Sequence, residues 1–266
     1  MAKYNKKRAR ELKHDKFRDT AMKLFDRLGD QLEGKGRTIL YGIAGVVVAA
    51  VLVGLFIKWS NRRADEARHA LGRAITIAAT PISATPGSST PGFANEQERA
   101  QKAIDEFQKV VAKYRDPYRT EARYFIAASL LYVDRNKGIT ELTELAKSSD
   151  PDIATLSKFA LAQAKEADGK YDEAVGLYRE LAAQNSVVVT AEIANLRLAL
   201  VYGKQYRKKE EADLLFNIVD AARKAKNSEG AVPQSQAARD AAEELQKVDP
   251  TRYAQLTPEP PPNVPF

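Results

Sequence analysis

The chain has 266 residues, 44% of them hydrophobic, and carries 42 Lys and Arg against 35 Asp and Glu, a net charge of +7. Most of the excess lies in residues 1–38, which hold twelve basic and six acidic side chains. Because a nucleic-acid-binding domain needs a basic face of its own, and the rest of the chain is almost neutral, we expect no nucleic-acid partner. No cysteine is present, which excludes disulfides, a thiol nucleophile and cysteine-ligated zinc.

The basic tail, residues 1–38, contains a predicted amphipathic helix at 15–32. Its apolar residues recur at helical spacing: Phe17, Ala21, Leu24, Phe25, Leu28 and Leu32. A basic amphipathic helix beside a membrane is typical of a segment that lies on anionic lipid. Two alternatives stay open: a solvated tail that only sets topology, and a nucleic-acid-binding tail.

An uncharged, mostly apolar run of 19 residues, ILYGIAGVVVAAVLVGLFI, occupies 39–57. As a helix it would extend about 28 Å, close to the hydrocarbon thickness of a bilayer. Trp59 follows it, where an amphipathic ring favours the headgroup layer. The pattern predicts a single transmembrane helix. A buried core helix and a cleaved signal peptide are the alternatives, and the long basic segment ahead of the run favours an uncleaved anchor.

The basic cluster within residues 3–10 predicts the orientation of this helix. Basic residues are retained on the cytoplasmic side, whereas a long following domain crosses largely regardless of its charge. We therefore expect a single-pass protein of a bacterial inner membrane, with a cytoplasmic N-terminus and a periplasmic C-terminal domain. Inverted topology, with a cytoplasm-facing adaptor domain, is the alternative.

The remainder, residues 58–250, reads as a helical repeat domain. A Pro/Ser/Thr-rich loop at 81–94 interrupts it, and a Pro-rich tail, 251–266, follows it. The apolar stripe of the first helix should pack on the second helix across the loop. The predicted helices are 65–80, 96–114, 119–133, 139–147, 153–167, 171–184, 190–202, 209–226 and 234–248.

A period of 34 to 38 residues indicates internal repeats. The clearest unit, 151–184, resembles a tetratricopeptide repeat. The residues that carry the resemblance are Ala162, Gly169, Tyr171, Ala174 and Tyr178, and in the next unit Ala199, Tyr202, Ala212 and Phe216. The motif's first-helix Trp is missing. The predicted fold is all-α: one N-terminal transmembrane helix, then a tetratricopeptide-like α-solenoid of about three to four helix pairs.

The layout as a whole resembles the YfgM-type ancillary subunits of the Sec translocon. The likeness is greatest in YFIAASLLYVDRNKGITEL, residues 124–142, and FALAQAKEADGKYDEAVGLYREL, residues 159–181. The resemblance implies a membrane-anchored interaction protein whose partners are Sec translocon subunits, periplasmic chaperones or emerging chains. A structural scaffold in an envelope assembly, such as cell division or secretion, is the alternative.

Nothing in the sequence points to catalysis. The two histidines, His14 and His69, are separated by the predicted span and cannot share a metal ion. The chain lacks phosphate-binding glycine loops, a nucleophile elbow and metalloprotease motifs. We expect no catalytic, metal or cofactor site, and no enzyme activity.

The first helix of each pair lines the concave face in tetratricopeptide solenoids. In this register the inward-facing residues are Phe125, Tyr132, Phe159, Gln163, Leu196 and Leu200. Large apolar groups in a groove commonly recognise a peptide segment, so these six are the predicted partner-binding residues. The alternative is that neighbouring helices bury them.

Overall fold

The structure is a computed structural model that describes residues 36–82, 92–184, 186–227, 230–231 and 234–258, without the side chains of 36–47, 57, 226–227 and 230–231. The predicted tail helix at 15–32 lies outside the described residues. So do most of the 81–94 loop and the end of the 251–266 tail.

The described residues form ten helices and one short strand pair, which confirms the all-α prediction. The helices are α1 Gly36–Ala78, α2 Glu96–Lys113, α3 Tyr118–Val133, α4 Arg135–Leu145, α5 Pro151–Ala167, α6 Tyr171–Ala183, α7 Ala191–Lys204, α8 Lys208–Lys224, α9 Gln236–Val248 and α10 Pro250–Tyr253. Between α8 and α9, β1 (Lys226–Asn227) pairs antiparallel with β2 (Gly230–Ala231).

The chain divides into two compact units, residues 1–66 and 67–266. In the first unit, α1 has apolar side chains that are more than half exposed: Val48, Val51, Leu52, Val53, Leu55 and Phe56. Within the described ranges, none of the helices meets the length and apolarity needed to cross a membrane. The predicted span, 39–57, includes residues 39–47 and Ile57, whose side chains lie outside the described part.

In the second unit the helices pack in chain order. The end of α1 contributes Ala67, Leu71 and Ala74 to a buried cluster with Phe107 of α2, as the sequence predicts for the two helices that flank the 81–94 loop. Then α3 packs on α4, α5 on α6, and α7 on α8, each pair also contacting the next, and α9 packs on α8. Consecutive helix hairpins stacked in this way form a tetratricopeptide-like α-solenoid.

The start of α4 differs from its predicted start at Ile139. The helix begins at Arg135, directly after α3, because the Asp134 side chain accepts a hydrogen bond from the Lys137 amide at 3.1 Å and caps it. Gly138 lies inside this helix, although a glycine at this place in the sequence suggests that the helix is interrupted there. A β-carbon there would lie only 2.8 Å from the Leu131 backbone nitrogen, so this glycine permits the close approach of α3 and α4.

We expect Gly138→Ala to destabilise the protein by about 1 to 3 kcal/mol, since the added methyl group collides with backbone rather than with a movable side chain. Gly176→Ala, within α6, is the matched control. Its methyl group would meet nothing within 4 Å, so it should stabilise by up to about 1 kcal/mol. Thermal unfolding of the full chain in detergent, followed by circular dichroism, measures both. Equal melting of the two variants would contradict the close approach.

The turns inside two successive pairs have the same geometry. Gly169, after α5, has a φ of 71°, and Tyr206, 37 residues further on after α7, has a φ of 60°. In each turn the amide of this residue donates to the carbonyl three residues back, and the next amide donates to the carbonyl five residues back, at 2.9 to 3.1 Å. These are the hydrogen bonds of a Schellman motif, which confirms the predicted glycine turn.

Polar ties between neighbouring turns follow the same period. The Arg135 Nε donates to Asp168 Oδ1 at 2.6 Å, and the Gln205 Nε2 donates to Asp172 Oδ1 at 2.8 Å. The two hydrogen bonds occupy equivalent positions, because Asp172 lies 37 residues after Arg135 and Gln205 lies 37 residues after Asp168. Each tie joins the turn of one pair to the turn of the next pair.

The small and aromatic repeat positions form the core, as the sequence predicts. Ala162, Ala174, Tyr178 and Ala199 are fully buried. The next repeat departs from prediction at two positions, because Glu211 and Leu215, rather than Ala212 and Phe216, stand 37 residues after Ala174 and Tyr178. Leu215 is fully buried, whereas Phe216 is only partly buried. The reason is that the structural period is 37 residues rather than the 38 that aligns Ala174 with Ala212.

Candidate protein-binding face

The first helices of the pairs share one face. α3 contacts α5, and α7 contacts α9. α5 is joined to α7 by ion pairs from Glu166 to Arg197 and Lys204. We call the surface formed by α3, α5, α7 and α9 the first-helix face. It carries two cavities that are formed by several helices and include predicted partner-binding residues.

The smaller cavity, of about 160 Å³, lies beside α3, and we call it the aromatic cavity. Phe125 stacks on Phe107 with ring centroids 5.0 Å apart and planes 7° apart, which fixes the ring at the cavity wall. Tyr132, about two helical turns further on, is 54% exposed. The lining residues are Ala78, Arg99, Ala100, Ala103, Phe125, Ala128, Ser129 and Tyr132.

The larger cavity, of about 420 Å³, is formed by α5, α7, α8 and α9, and we call it the charged cavity. Leu200 is the apolar side chain of its lining. Three carboxylates, two cations and Gly203 complete the lining. The lining residues are Glu166, Arg197, Leu200, Gly203, Lys204, Glu211 and Glu244.

Glu166 is the centre of a buried polar network in this cavity. Its carboxylate accepts from Arg197 Nη2 at 2.6 Å, Lys204 Nζ at 2.7 Å and the Tyr178 hydroxyl at 2.9 Å. Burial raises the pKa of Glu166, but the hydrogen bond from Lys204 and the charge of Arg197 outweigh burial and hold the pKa below its ordinary value. The carboxylate is therefore ionised at neutral pH, and it accepts hydrogen bonds from side chains on two other helices, α6 and α7.

Glu211 has the opposite character. It is 5% exposed, and no hydrogen bond or ion pair of its carboxyl group is found among the described residues. Burial raises the pKa of Glu211, and the nearby Glu244 carboxylate raises it further, with Lys208 acting weakly against them. The sequence analysis missed both glutamates, because the pattern around a buried Glu in a helix is the same as that around a Glu on a solvent-exposed helix face.

The other predicted partner-binding residues are spread along the face. Phe159 is partly buried and meets the Tyr178 ring edge-on at 5.9 Å. Gln163 is exposed on α5. Leu196 is buried in the core with Leu215 and presents no surface to a partner. Thus Phe125 and Tyr132 meet at the aromatic cavity, Leu200 lines the charged cavity, and the binding role of the set stays a prediction.

Over the described ranges, no group of three or more His, Asp or Glu side chains is arranged to hold a metal ion. What the face offers is an exposed phenol, apolar walls and ionised groups, which bind by contact, hydrogen bond and charge.

No protein-family model matches the chain, and no curated protein matches it. Among solved structures, it is similar to a crystal structure of nearly identical TPR-like repeats from a Podosopora anserina protein described as a kinesin light chain, and to a single-residue variant of that protein. Each is 18% identical, covering 71% of this chain and 87% of that chain, with a TM-score of 0.47. The repeat architecture of this chain rests on its own helix pairing rather than on this similarity.

Proposed function

We propose that this chain is a membrane-anchored protein-interaction module whose first-helix face binds a segment of a partner protein. The observation that carries the proposal is the pairing of two cavities with an exposed large aromatic side chain, Tyr132, on one face of a helical repeat array. Tyrosine is enriched where proteins bind one another, because it combines apolar area with a hydrogen-bonding tip.

Anchoring by residues 39–57 is supported by the sequence and by the side chains of α1. Apolar groups such as Leu52 and Phe56 are about 60% exposed, an arrangement that water disfavours and lipid accepts. Trp59 is half exposed, and the Arg63 guanidinium lies 4.3 Å from its ring centroid. An amphipathic aromatic beside an arginine is typical of the membrane interface.

The partner class we propose is the Sec translocon with its periplasmic chaperones or emerging chains, and the module faces the periplasm. This part of the proposal is supported by the resemblance of residues 124–142 and 159–181 to YfgM-type subunits.

Site-specific photo-cross-linking tests the binding face. We expect a photoreactive phenylalanine analogue at Tyr132 to cross-link translocon subunits or periplasmic chaperones in intact cells. The same analogue at Ala183, an exposed residue at the end of the second helix α6, is the control and should cross-link far less. Equal cross-linking at both positions, or none at either, would contradict a binding role for this face.

Thiol labelling tests the topology. Since the chain has no cysteine, Asn5→Cys and Ser89→Cys each introduce one label site, one on either side of residues 39–57. In intact spheroplasts, a membrane-impermeant maleimide should modify Ser89→Cys and leave Asn5→Cys unmodified until the membrane is opened. The reverse pattern would establish inverted topology, and labelling of both sites would argue against a span.

A further inference from the structure

Glu211 occupies a position that the repeat reserves for a small residue. It lies 37 residues after Ala174, which is fully buried between the helices of its pair. The larger glutamate fits because Gly203 faces it: a β-carbon on Gly203 would lie 2.3 Å from Glu211 Oε1. In the preceding pair the position of Gly203 is held by Glu166. The third repeat therefore carries its carboxylate on the second helix instead of the first.

The two carboxylates differ in what balances their charge. Both cations of the charged cavity, Arg197 and Lys204, are bound to Glu166 at 2.6 and 2.7 Å. Among the described residues, Glu244 has only an ion pair at 3.2 Å with Lys247 on its own helix, and at that spacing an exposed pair contributes little. Glu211 has no cation in contact among the described residues, and the charge of Lys208 acts on it weakly.

Glu211 is 5% exposed as a residue, and its carboxyl group lines the cavity without a hydrogen-bond partner among the described residues. A carboxyl so enclosed is stabilised by a ligand that donates hydrogen bonds to it. Glu166 already pairs with both cations, and the one donor of Arg197 without an acceptor, Nε, is buried. An anionic ligand would therefore have to displace Glu166. A cationic ligand would instead find Glu211 and Glu244 together on the wall of a cavity of about 420 Å³, with Leu200 as an apolar surface beside them. Lys and Arg side chains combine a cationic head with an apolar stem.

We propose that the charged cavity receives a Lys or Arg side chain of the bound partner segment, with its cationic group against Glu211 and Glu244 and its methylene stem against Leu200. This rests on the proposed protein-binding function. The part of the face formed by α7, α8 and α9 would then select for basic residues: a segment with a Lys or Arg binds, and the same segment without one binds more weakly.

Peptide binding by the full chain in detergent tests the specificity. An array of random twelve-residue peptides is probed first, and the peptides that bind should be enriched in Lys and Arg. The strongest binder is then synthesised with its Lys or Arg and with norleucine in that place, which retains the apolar stem and removes the charge. For the parent protein, norleucine should weaken binding about tenfold, the size expected for one buried charge-assisted hydrogen bond.

The variants Glu211→Gln and Glu244→Gln should each lose most of this tenfold difference between the two peptides. Glu243→Gln, an exposed neighbour on α9 that is outside the cavity, is the matched control and should retain it. Thermal melts followed by circular dichroism check that each variant is folded. Glu244 is less buried than Glu211, so Glu244→Gln tests the site without changing the core of the protein.

The outcomes separate the two proposals. Peptide binding without enrichment of basic residues, enrichment of acidic residues, or an undiminished norleucine effect in Glu211→Gln and Glu244→Gln would overturn the basic-residue site while protein binding stands. Loss of the effect in Glu243→Gln as well would show a general charge effect and would also overturn the site. Absence of any peptide binding, together with absence of cross-links at Tyr132, would overturn the proposed function itself.

Discussion

Replacing Tyr178 with alanine should destabilise the protein by about 4 kcal/mol, the largest effect we expect of any single substitution. Tyr178 is fully buried and is the largest side chain so enclosed in the part of the chain that the structure describes. It packs in one cluster with Ala162, Ala174 and Leu198, which come from three helices. Removing the ring leaves a cavity that these helices cannot close without moving apart, so both the transfer free energy and the packing are lost.

Tyr178→Phe separates the ring from its hydroxyl group. The hydroxyl donates to Glu166 at 2.9 Å, so its loss should cost about 1 kcal/mol. Urea unfolding of the full chain in detergent, followed by circular dichroism, measures both variants. If Tyr178→Ala and Tyr178→Phe unfold at the same urea concentration, the ring is not the packing centre of this repeat.

Replacing Glu166 with alanine should destabilise the protein by about 3 kcal/mol, the second largest effect. The substitution removes the acceptor of Arg197, Lys204 and Tyr178 at once and leaves a partly buried guanidinium without its partner. Glu180→Gln is the control. Glu180 pairs with Lys158 across α5 and α6, but half of its side chain is exposed, so we expect a loss below about 1 kcal/mol.

The effect of Glu166 should depend on pH in a defined direction. The folded protein holds the pKa of Glu166 below the ordinary value of 4.5, so the stability that the carboxylate supplies is complete above that value. It is lost as the pH falls through the lowered pKa of the folded state. The difference in unfolding free energy between parent and Glu166→Gln should therefore be constant near neutral pH and shrink in acid. A difference that grows in acid would contradict the network.

Positions whose role depends on size or spacing could be predicted from the sequence. Ala162, Ala174 and Tyr178 recur at helical spacing around Gly169, and that pattern alone places them in the core of a helix pair. The helices themselves follow from the periodicity of their apolar residues. Capping residues such as Asp150 and Ser235 precede these apolar stripes, and their side chains accept hydrogen bonds from amides at the helix start. The start of α4 was missed because Asp134 is a cap that directly follows another helix.

Residues whose role depends on contacts between repeats could not be predicted. Glu166 and Glu211 lie in different pairs, and only the stacking of the pairs shows that Glu166 meets two cations while Glu211 meets none among the described residues. Gly203 looks like an unfavourable helix residue until Glu211 is placed beside it. Of the predicted partner-binding residues, Leu196 proved to be core because α8 and α9 cover it, which no spacing within α7 reveals.

The polar ties between successive turns have a mechanical consequence. Arg135 with Asp168, and Asp172 with Gln205, join three consecutive hairpins along the edge at which each hairpin turns. An array fastened along one edge cannot bend equally in all directions. The distance between successive turns at the hydrogen-bonded edge should stay constant when the solenoid bends, while the distance at the opposite edge increases or decreases. Thermal bending of the solenoid should therefore follow a single preferred plane.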